Sequence, residues 1–341
     1  MHELTPLTGP VSPVEALRRI ATLMERQRAG SYRIEAFRSA MARLAGLDED
    51  EVASRASAGT LTDLDGVGAS TAAIVEQAVA GDLPDRLQKL QDETARPLAE
   101  GGDDLFDAIV GDCHSHSTWS DGGSPIEEMV LTAAELGQDW LVLTDHSPRL
   151  KVANGLSAER LAKQIGVVRA IDGSLGDTFH LLTGIEVDIL EDGSLDQEDE
   201  LLERLDIVVA SVHSKLAMDA PAMTRRMLTA VANPHTDVLG HCTGRLVTGG
   251  RGVRPESKFD AEKVFGLCRD AGTAVEINCR PERLDPPRPL LDMAIEYGCW
   301  FSIDTDAHAP GQEGGAIQVP ARGPDLRRGR GHVVHQDGPG P

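Results

Sequence analysis

The chain has 341 residues, of which 40% are hydrophobic and 26% charged, and this is enough apolar material for about two globular domains. Its net charge of −22 argues against a protein that coats nucleic acid unselectively, because such binding needs lysines and arginines to displace counterions. No apolar run approaches the ~18–20 residues of a membrane span, and the N-terminus lacks the layout of a secretory signal. We therefore expect a cytoplasmic globular protein with no membrane partner.

The first patterned segment is helical and covers residues 12–95. Ser12 stands as an N-cap, Pro13 takes the first helical position, and Glu15 is placed to close a capping box. Residues 96–106 are polar and contain a glycine pair, which predicts a linker. The N-terminal part of the chain is thus predicted to be a small all-α domain.

From residue 107 the pattern changes, and short β-rich runs alternate with helical patterns. Seven such runs predict an α/β protein with a parallel βα barrel over residues 107–310, rather than an open sheet. Residues 311–341 are rich in Gly, Pro and Arg without periodicity, so we expect a disordered tail. The predicted strands are 107–113, 140–144, 179–187, 205–212, 236–240, 273–278 and 299–305.

The five cysteines are scattered and form no C-x-x-C pair, which indicates neither a disulfide framework nor a zinc ribbon. Cys113 and Cys242 each neighbour a histidine and are therefore candidates for soft metal ligands. We favour the interpretation that both are buried, inert thiols.

Histidines and carboxylates gather where the predicted strands end. The first and last strands each carry a pair at i, i+2 spacing, His114 with His116 and Asp306 with His308. Because the carboxyl ends of the strands in a parallel barrel meet at one mouth, these side chains should converge there. The pattern predicts a metal site with nine ligands: His114, His116, Asp121, His146, Glu186, His213, His241, Asp306 and His308.

Nine nitrogen and oxygen ligands exceed what one ion needs, since a catalytic zinc uses about three protein ligands plus water. Two or three divalent ions that share a carboxylate fit better, and imidazole with carboxylate suits Zn²⁺, Mn²⁺ or Fe. Closely spaced ions favour hydrolysis of phosphate esters, because they clamp a phosphoryl oxygen and lower the pKa of bound water to about 7. Asp112 and Asp145, each beside a ligand histidine, are either residues that orient those ligands or ordinary surface acids.

Seven motifs carry these residues: "DCHSHSTWSDG", "LTDHS", "GIEVDILEDGSLD", "ASVHSKL", "GHCTGR", "EINCRPERLD" and "DTDAH". Together they resemble the polymerase-and-histidinol-phosphatase (PHP) domain, and most of all the PHP module of bacterial family X DNA polymerases. The resemblance implies a distorted (β/α)7 barrel whose trinuclear metal centre hydrolyses phosphoesters with a metal-bound hydroxide and without a protein nucleophile. It also implies three ion groups: His114, His116, Glu186 and Asp306; Glu186, His213 and His241; and Asp121, His146 and His308.

Residues 12–95 resemble the N-terminal helical domain of the same polymerases. "GSYRIEAFRSA" and "DLDGVGASTAA" carry the likeness, and the second is similar to a helix-hairpin-helix motif. The resemblance implies that the backbone N–H groups at Gly66 and Gly68 approach a DNA phosphate, with a purely structural hairpin as the alternative. Residues 18–43 hold seven arginines against two glutamates, which favours the DNA interpretation.

Polymerase activity is excluded, because no segment between the two regions is long enough for a nucleotidyl-transfer domain. Lyase chemistry is excluded as well, since it needs an amine nucleophile and the only lysine of the first 100 residues, Lys89, lies outside the segments that carry the resemblance. We expect a metal-dependent phosphoesterase, either a phosphomonoesterase or a 3′-end-processing nuclease whose helical domain holds DNA.

Arg245 and Arg280 follow the fifth and sixth predicted strands and are candidates for binding the substrate phosphate, with surface ion pairs as the alternative. Two other functions stay open. One is an amidohydrolase-type metalloenzyme, which also places H-x-H on the first strand of a barrel. The other is a non-catalytic DNA-binding scaffold with an inactive barrel.

Overall fold

The computed structural model describes residues 4–94, 108–249 and 252–313. These residues divide into two compact units, a helical unit of residues 4–94 with 309–313, and a barrel unit made by the described residues from 108 to 308. The predicted linker, 96–106, lies outside the described residues, as does 314–341 of the predicted tail. Among the described residues, no helix is both long and apolar enough to cross a membrane.

The described part of the helical unit is built from short amphipathic helices. Their apolar faces meet in one core, in which Leu17, Ile20 and Leu44 are almost completely buried. The helices are α1 (Pro13–Arg26), α2 (Ser31–Ala45), α3 (Glu49–Ala58), α4 (Ala69–Val79) and α5 (Asp85–Thr94), with a 3-10 turn at Leu61–Asp63.

Helix α1 begins where the sequence predicts. The Ser12 hydroxyl accepts the Glu15 N–H at 3.2 Å, and Pro13 takes the first helical position. The predicted capping box does not close, because the Glu15 carboxylate turns to the guanidinium of Arg18, 2.7 Å away and one turn later. An ion pair within the helix has displaced the second half of the cap.

The first residues after the barrel, 309–313, belong to the helical unit. Pro310–Gln312 forms a 3-10 turn, and the Gly311 N–H donates to Glu25 Oε2 at 3.0 Å. A Cβ at Gly311 would approach the Thr22 carbonyl oxygen to 2.1 Å, so only glycine lets the chain lie this close to α1. The predicted disordered tail is therefore wrong for residues 311–313, which pack on α1.

The barrel unit contains seven parallel strands whose order in space is their order in the chain. The first and last strands meet, since the His116 N–H donates to the Ala307 carbonyl at 2.8 Å and Ser115 pairs with Ala307. This brings the sheet nearly to closure and confirms the predicted α/β barrel. The strands are β1 (Gly111–Ser115), β2 (Trp140–Leu143), β3 (His180–Asp188), β4 (Ile207–Ser211), β5 (Val238–Leu239), β6 (Ala274–Asn278) and β7 (Phe301–Asp304).

Helices cover the outer face of the strands. Leu141 and Leu143 of β2 pack against Ile126 and Met129 of the first crossover helix. Val142, which points the opposite way, packs with residues of the other strands inside the barrel. The helices of this unit are α6 (Ile126–Glu135), α7 (Ala158–Leu175), α8 (Asp199–Leu202), α9 (Ala220–Val231), α10 (Ala261–Ala271) and α11 (Arg288–Glu296).

The first strand starts later than predicted, at Gly111 rather than residue 107. The apolar residues before it serve packing, as Ile109 lies in a small cluster with Cys279 and Ile303. The register of β1 against β2 also shifts between Asp112 and Ser115. Such an irregularity changes the direction of side chains, and here it lies next to the predicted ligands.

Candidate metal centre

All nine predicted ligands lie within or just after the carboxyl ends of the strands, or in the loop that follows β1. His114 is in β1 and Glu186 is in β3, whereas the other seven lie beyond the last residue of their strand. Six of the nine are buried, and Asp121 is the most exposed. The parallel barrel thus assembles polar residues that are up to 194 positions apart in the chain.

Glu186 occupies the centre of the cluster. Its Oε2 lies 3.3 Å from His114 Nε2, 3.6 Å from His116 Nε2 and 2.8 Å from His146 Nδ1. Its Oε1 lies 3.1 Å from His213 Nε2 and 2.8 Å from His241 Nε2. Each carboxylate oxygen therefore faces a different set of imidazoles, so Glu186 could contribute a ligand to more than one cation.

The remaining carboxylates lie on either side of this centre. Asp306 Oδ1 is 3.4 Å from His116 Nε2, on the side of the first strand. Asp121 Oδ1 is 3.4 Å from His146 Nε2 and 3.5 Å from His308 Nε2. The structure brings together all nine predicted ligands, and close sets of donor atoms occur in three places: His116, Asp121, His146 and His308; His114, His116 and Glu186; and His146, Glu186 and His213.

The donor atoms fit divalent cations. Several of them are buried and have no hydrogen-bond partner among the described residues: His114 Nε2, both ring nitrogens of His116 and of His213, and Glu186 Oε2. An unpaired buried polar atom costs about 1–3 kcal/mol, and a cation in the cluster would satisfy these atoms together. Imidazole and carboxylate in this number suit divalent metal ions, so the site binds them.

The pKa shifts in the cluster have opposite signs for different histidines. Burial lowers the pKa of His116 and His308, so both imidazoles are neutral near pH 7 and offer a lone pair. Burial also acts on His213, but the charges of Glu186 and Asp188 outweigh it and raise its pKa to about 9. The carboxylates thus favour a positive charge at His213, and a metal ion bound to this imidazole can supply that charge in place of the proton.

Two carboxylates that sequence reasoning missed lie directly behind the ligands. Glu276 Oε1 is 2.5 Å from His114 Nδ1, and Glu276 also accepts the His241 N–H. Asp188 Oδ1 lies 3.5 Å from His213 Nδ1. A carboxylate on the second ring nitrogen fixes the orientation of a ligand imidazole. The signal in the sequence was an acid within an apolar strand, Glu276 in "AVEIN".

The acids that the sequence singled out for orienting ligands contact main chain and hydroxyl groups. Asp112 accepts the His114 N–H at 2.9 Å and the Thr305 hydroxyl at 2.5 Å, which links β1 to the end of β7. Asp145 accepts the Ser117 hydroxyl at 2.6 Å and the Gln164 side chain at 2.6 Å. Both are buried, so neither is an ordinary surface acid. Neither contacts a ligand imidazole among the described residues, so they support the loops rather than the rings.

Of the two predicted phosphate ligands, only Arg280 faces the cluster. Its Nη1 lies 3.3 Å from Asp306 Oδ1 and 3.2 Å from His308 Nδ1. Arg245 instead donates to the main-chain oxygens of Arg283, at 3.1 Å, and of Leu284. In this structure loop carbonyls and Glu256, at 3.2 Å, take the donors of Arg245, and its contact with substrate stays a prediction.

Arg283 is a further cation at the site that the sequence did not single out. Its Nε lies 3.0 Å from Asp306 Oδ2, and its buried Nη1 has no hydrogen-bond partner within the described parts of the chain. Together with Arg280 it places two guanidinium groups beside one metal ligand. Because both occur in "NCRPERLD", spacing alone did not show which of the arginines would face inward.

Cys113 and Cys242 are buried thiols, as the sequence analysis favoured. Burial raises the pKa of both well above the usual cysteine value, which keeps them protonated. Cys113 packs with Val142 and Val209 inside the barrel. Within the described residues, neither thiol belongs to a group of potential metal ligands.

In the hairpin of the helical unit, one of the two N–H groups expected to approach a DNA phosphate, that of Gly68, already has a partner within the chain. Gly66 has a φ of +83°, which is a left-handed conformation that favours glycine. The Gly68 N–H donates to Thr71 Oγ1 at 3.0 Å and so already has a partner. The exposed acids Asp63 and Asp65 flank the turn. The main-chain donors at the start of α4 are therefore set among negative charges.

Fewer arginines of the arginine-rich stretch, residues 18–43, are available to contact DNA than its sequence indicates. Arg18, Arg19 and Arg38 are buried, and Arg38 pairs with Glu25 at 2.5 Å. Arg33 and Arg43 are exposed. Part of the basic character seen in the sequence therefore serves the core.

The barrel and its histidine–carboxylate cluster define a metal-dependent hydrolase, and comparisons with known proteins identify the family. The PHP domain matches residues 112–280, and a helix-hairpin-helix domain matches residues 12–82. The chain is 30% identical over 211 residues to a protein named "Probable phosphatase" from Thermoanaerobacter sp. (strain X514), covering 59% of this chain and 79% of that protein. The chain belongs to the PHP family. It is a metal-dependent phosphoester hydrolase, which decides against the amidohydrolase alternative.

Two further likenesses differ in extent. A "DNA polymerase/3'-5' exonuclease PolX" from Bacillus subtilis (strain 168) is 42% identical over 200 residues, which are 59% of this chain but only 34% of that protein. A solved histidinol phosphate phosphatase from Lactococcus lactis, in complex with zinc, L-histidinol and phosphate, has a TM-score of 0.44 and 17% identity and covers 59% of this chain and 86% of that chain. A structural likeness this weak bears on neither fold nor function.

Proposed function

We propose that this protein hydrolyses phosphate esters at the ends of DNA chains with three divalent ions held by the nine clustered residues. The observation that carries the proposal is the central position of Glu186, whose two oxygens face separate sets of imidazoles at 2.8–3.6 Å. One carboxylate that serves two cations, with a third set of donors beside it, is the arrangement of a multinuclear phosphoesterase.

The nine residues divide into three ion groups. His114, His116, Glu186 and Asp306 would hold one ion, Glu186, His213 and His241 the second, and Asp121, His146 and His308 the third. Zn²⁺, Mn²⁺ or Fe are the ions that this donor set suits. When bound, closely spaced ions of this kind polarise a phosphoryl oxygen and make water a nucleophile near neutral pH.

The surrounding residues orient the ligands and the substrate. Glu276 holds the second nitrogen of His114, which presents its Nε2 to the centre. Asp188 Oδ1 lies 3.5 Å from His213 Nδ1, so its charge faces the second nitrogen of that ring. Arg280 and Arg283 would bind the non-bridging oxygens of the phosphate, because guanidinium groups match the geometry of phosphate. Among the described residues, no serine or cysteine nucleophile needs to be invoked.

DNA is the substrate that the comparisons favour. The identity to the PolX protein, 42% over 200 residues, exceeds the identity to the phosphatase. The helix-hairpin-helix domain adds a module suited to contact with phosphate groups through main-chain N–H donors. The exposed Arg33 and Arg43 supply positive charge on the same unit.

A phosphomonoesterase is the second candidate. It is favoured by the named phosphatase relative, of which this chain covers 79%. In that case the substrate is a small phosphate ester, and the helical unit has no part in catalysis. The difference between the two candidates is the group attached to the phosphate.

The test uses the full chain with Mn²⁺, assayed in parallel on p-nitrophenyl phosphate and on a 5′-end-labelled single-stranded oligonucleotide. A His114→Ala variant controls for contaminating hydrolases, and His180→Ala, which changes an exposed histidine, is the matched control. Shortening of the oligonucleotide that His114→Ala alone abolishes supports DNA-end hydrolysis. Hydrolysis of the monoester alone supports the second candidate. Mn²⁺ binding with no activity on either substrate would contradict both and favour an inactive barrel that serves as a scaffold.

A further inference from the structure

Three arginines of the barrel unit donate to main-chain carbonyl groups in loops that follow successive strands. They are Arg160, Arg226 and Arg245, and we call them the arginine clamps. We infer that the clamps are positioning residues, which join the metal-ligand loops in pairs and thereby set the distances between ligands of different strands. This inference rests on the proposed metal centre but not on the nature of the substrate.

Arg226 shows the arrangement most clearly. It projects from α9, is 1% exposed, and donates from Nε to the Ile189 carbonyl at 3.0 Å and from Nη1 to the Ser214 carbonyl at 2.8 Å. Its Nη2 also donates to Ile189. Ile189 follows the end of β3, three residues after Glu186, and Ser214 directly follows His213. One guanidinium therefore joins the chain segments that carry two ligands.

The chemistry of Arg226 favours a positioning role. Burying a guanidinium is costly, and the usual compensation is a paired carboxylate. No carboxylate lies within ion-pair distance of Arg226 among the described residues, whereas two loop carbonyls accept its donors. The planar, rigid fork of arginine fixes the spacing of two acceptors, which the single ammonium of lysine cannot do.

Arg160 makes the same connection between the loops after β1 and β2. Its Nη1 donates to the carbonyls of Asn154, at 2.6 Å, and Gly155, at 3.1 Å, and its Nη2 donates to the Trp119 carbonyl. Trp119 precedes the ligand Asp121 by two residues. Arg160 thus ties together the loops on either side of the third ion group.

Arg245 joins the loops after β5 and β6. It lies four residues after His241 and donates to the carbonyls of Arg283, at 3.1 Å, and Leu284. Arg283 in turn contacts Asp306 at 3.0 Å. The three clamps together cover the loops of six strands in the pairs β1–β2, β3–β4 and β5–β6.

The clamps matter for metal binding because an ion needs ligand distances held within a few tenths of an ångström. Glu186 Oε1 and His213 Nε2, which are 3.1 Å apart, come from β3 and from the loop after β4. Arg226 restrains the chain next to both. Loss of such outer support typically costs about 10- to 100-fold in metal affinity.

The test is a calorimetric titration of the full chain with Mn²⁺, with melting temperature measured on the same samples. Arg226→Lys keeps the charge and removes the fork. Arg225→Lys makes the same change on the adjacent, exposed arginine and is the matched control. We expect Arg226→Lys to weaken one class of Mn²⁺ sites about 10- to 100-fold, and Arg225→Lys to bind like the wild type.

Arg160→Lys tests the inference independently, should Arg226→Lys fail to fold. It should weaken Mn²⁺ binding to a similar extent. Wild-type Mn²⁺ affinity in the folded lysine variants, or a lower melting temperature with no change in Mn²⁺ affinity, would overturn the inference alone. If the wild-type chain binds no Mn²⁺, the proposed metal centre fails, and the inference fails with it.

Discussion

The mouth of the barrel and the hairpin of the helical unit are both expected to meet phosphate, yet they are built in opposite ways. At the mouth, imidazoles from four strands, β1, β2, β4 and β5, surround Glu186 of β3, and their identity defines the chemistry. At the hairpin, main-chain donors would act, one of them already bonded to Thr71 and the others flanked by Asp63 and Asp65. Specific side chains converge only at the mouth, which is therefore the better-defined site.

The largest effect should follow from Glu186→Gln, which removes the charge shared by the imidazoles. Because the amide cannot bridge two cations, we expect phosphoester hydrolysis to fall about 10³-fold or more in a Mn²⁺-dependent assay. Glu191→Gln changes an exposed glutamate nearby in the sequence and should leave the rate unchanged. Equal rates for both variants would show that the centre does not depend on Glu186.

Glu276→Gln should have the next largest effect, because it weakens the hold on His114 Nδ1 without removing a ligand. The expected result is a metal requirement raised about 10- to 100-fold, with the rate partly recovered at high Mn²⁺. Initial rates measured across a series of Mn²⁺ concentrations test this. Glu262→Gln, an exposed change on α10, is the control, and an unchanged metal requirement in Glu276→Gln would remove Glu276 from the site.

The metal-free protein should lose stability as pH rises. Glu186 raises the pKa of His213 to about 9 in the folded state, above the usual 6.5. A raised folded-state pKa contributes stability fully below about pH 6.5, and that contribution disappears as pH rises through about 9. Melting temperatures of chelator-treated protein should therefore fall across this window. His213→Asn should flatten the profile, and a wild-type profile that rises instead would contradict the pairing.

The smallest effect concerns the hairpin. Asp65→Asn removes a negative charge from the turn, so the full chain should bind a DNA oligonucleotide about two- to fivefold more tightly at low salt. Fluorescence anisotropy measures this, and hydrolysis of p-nitrophenyl phosphate should not change. Asp82→Asn, beyond the far end of α4, makes the same charge change and should have less effect. Equal gains in both variants would indicate general charge rather than the hairpin.

The barrel and its ligand set could be predicted because both depend on patterns that are local in the chain. Alternating strands and helices fixed the topology, and topology brings strand ends together, so His114 and His308 could be placed in one site before any distance was known. The predicted start of β1, at residue 107, was wrong. Ile109 is apolar because it packs in a small cluster, and it does not belong to the strand.

The supporting residues could not be predicted in the same way. Whether Arg245 or Arg283 faces the cluster depends on loop conformation, which no spacing in the sequence determines. Glu276 shows that a charged residue in an apolar strand is a usable signal, since a buried acid needs a partner. The Gly68 N–H donates to the hydroxyl of Thr71. The spacing of Gly66 and Gly68 in the sequence does not show this contact.

The most direct measurement is the anomalous scattering of crystals grown with Mn²⁺, since it counts the ions and places them. We predict three peaks, two of them on either side of the Glu186 carboxylate and the third among Asp121, His146 and His308. A single peak, or peaks that Glu186 does not bridge, would contradict the shared-carboxylate centre.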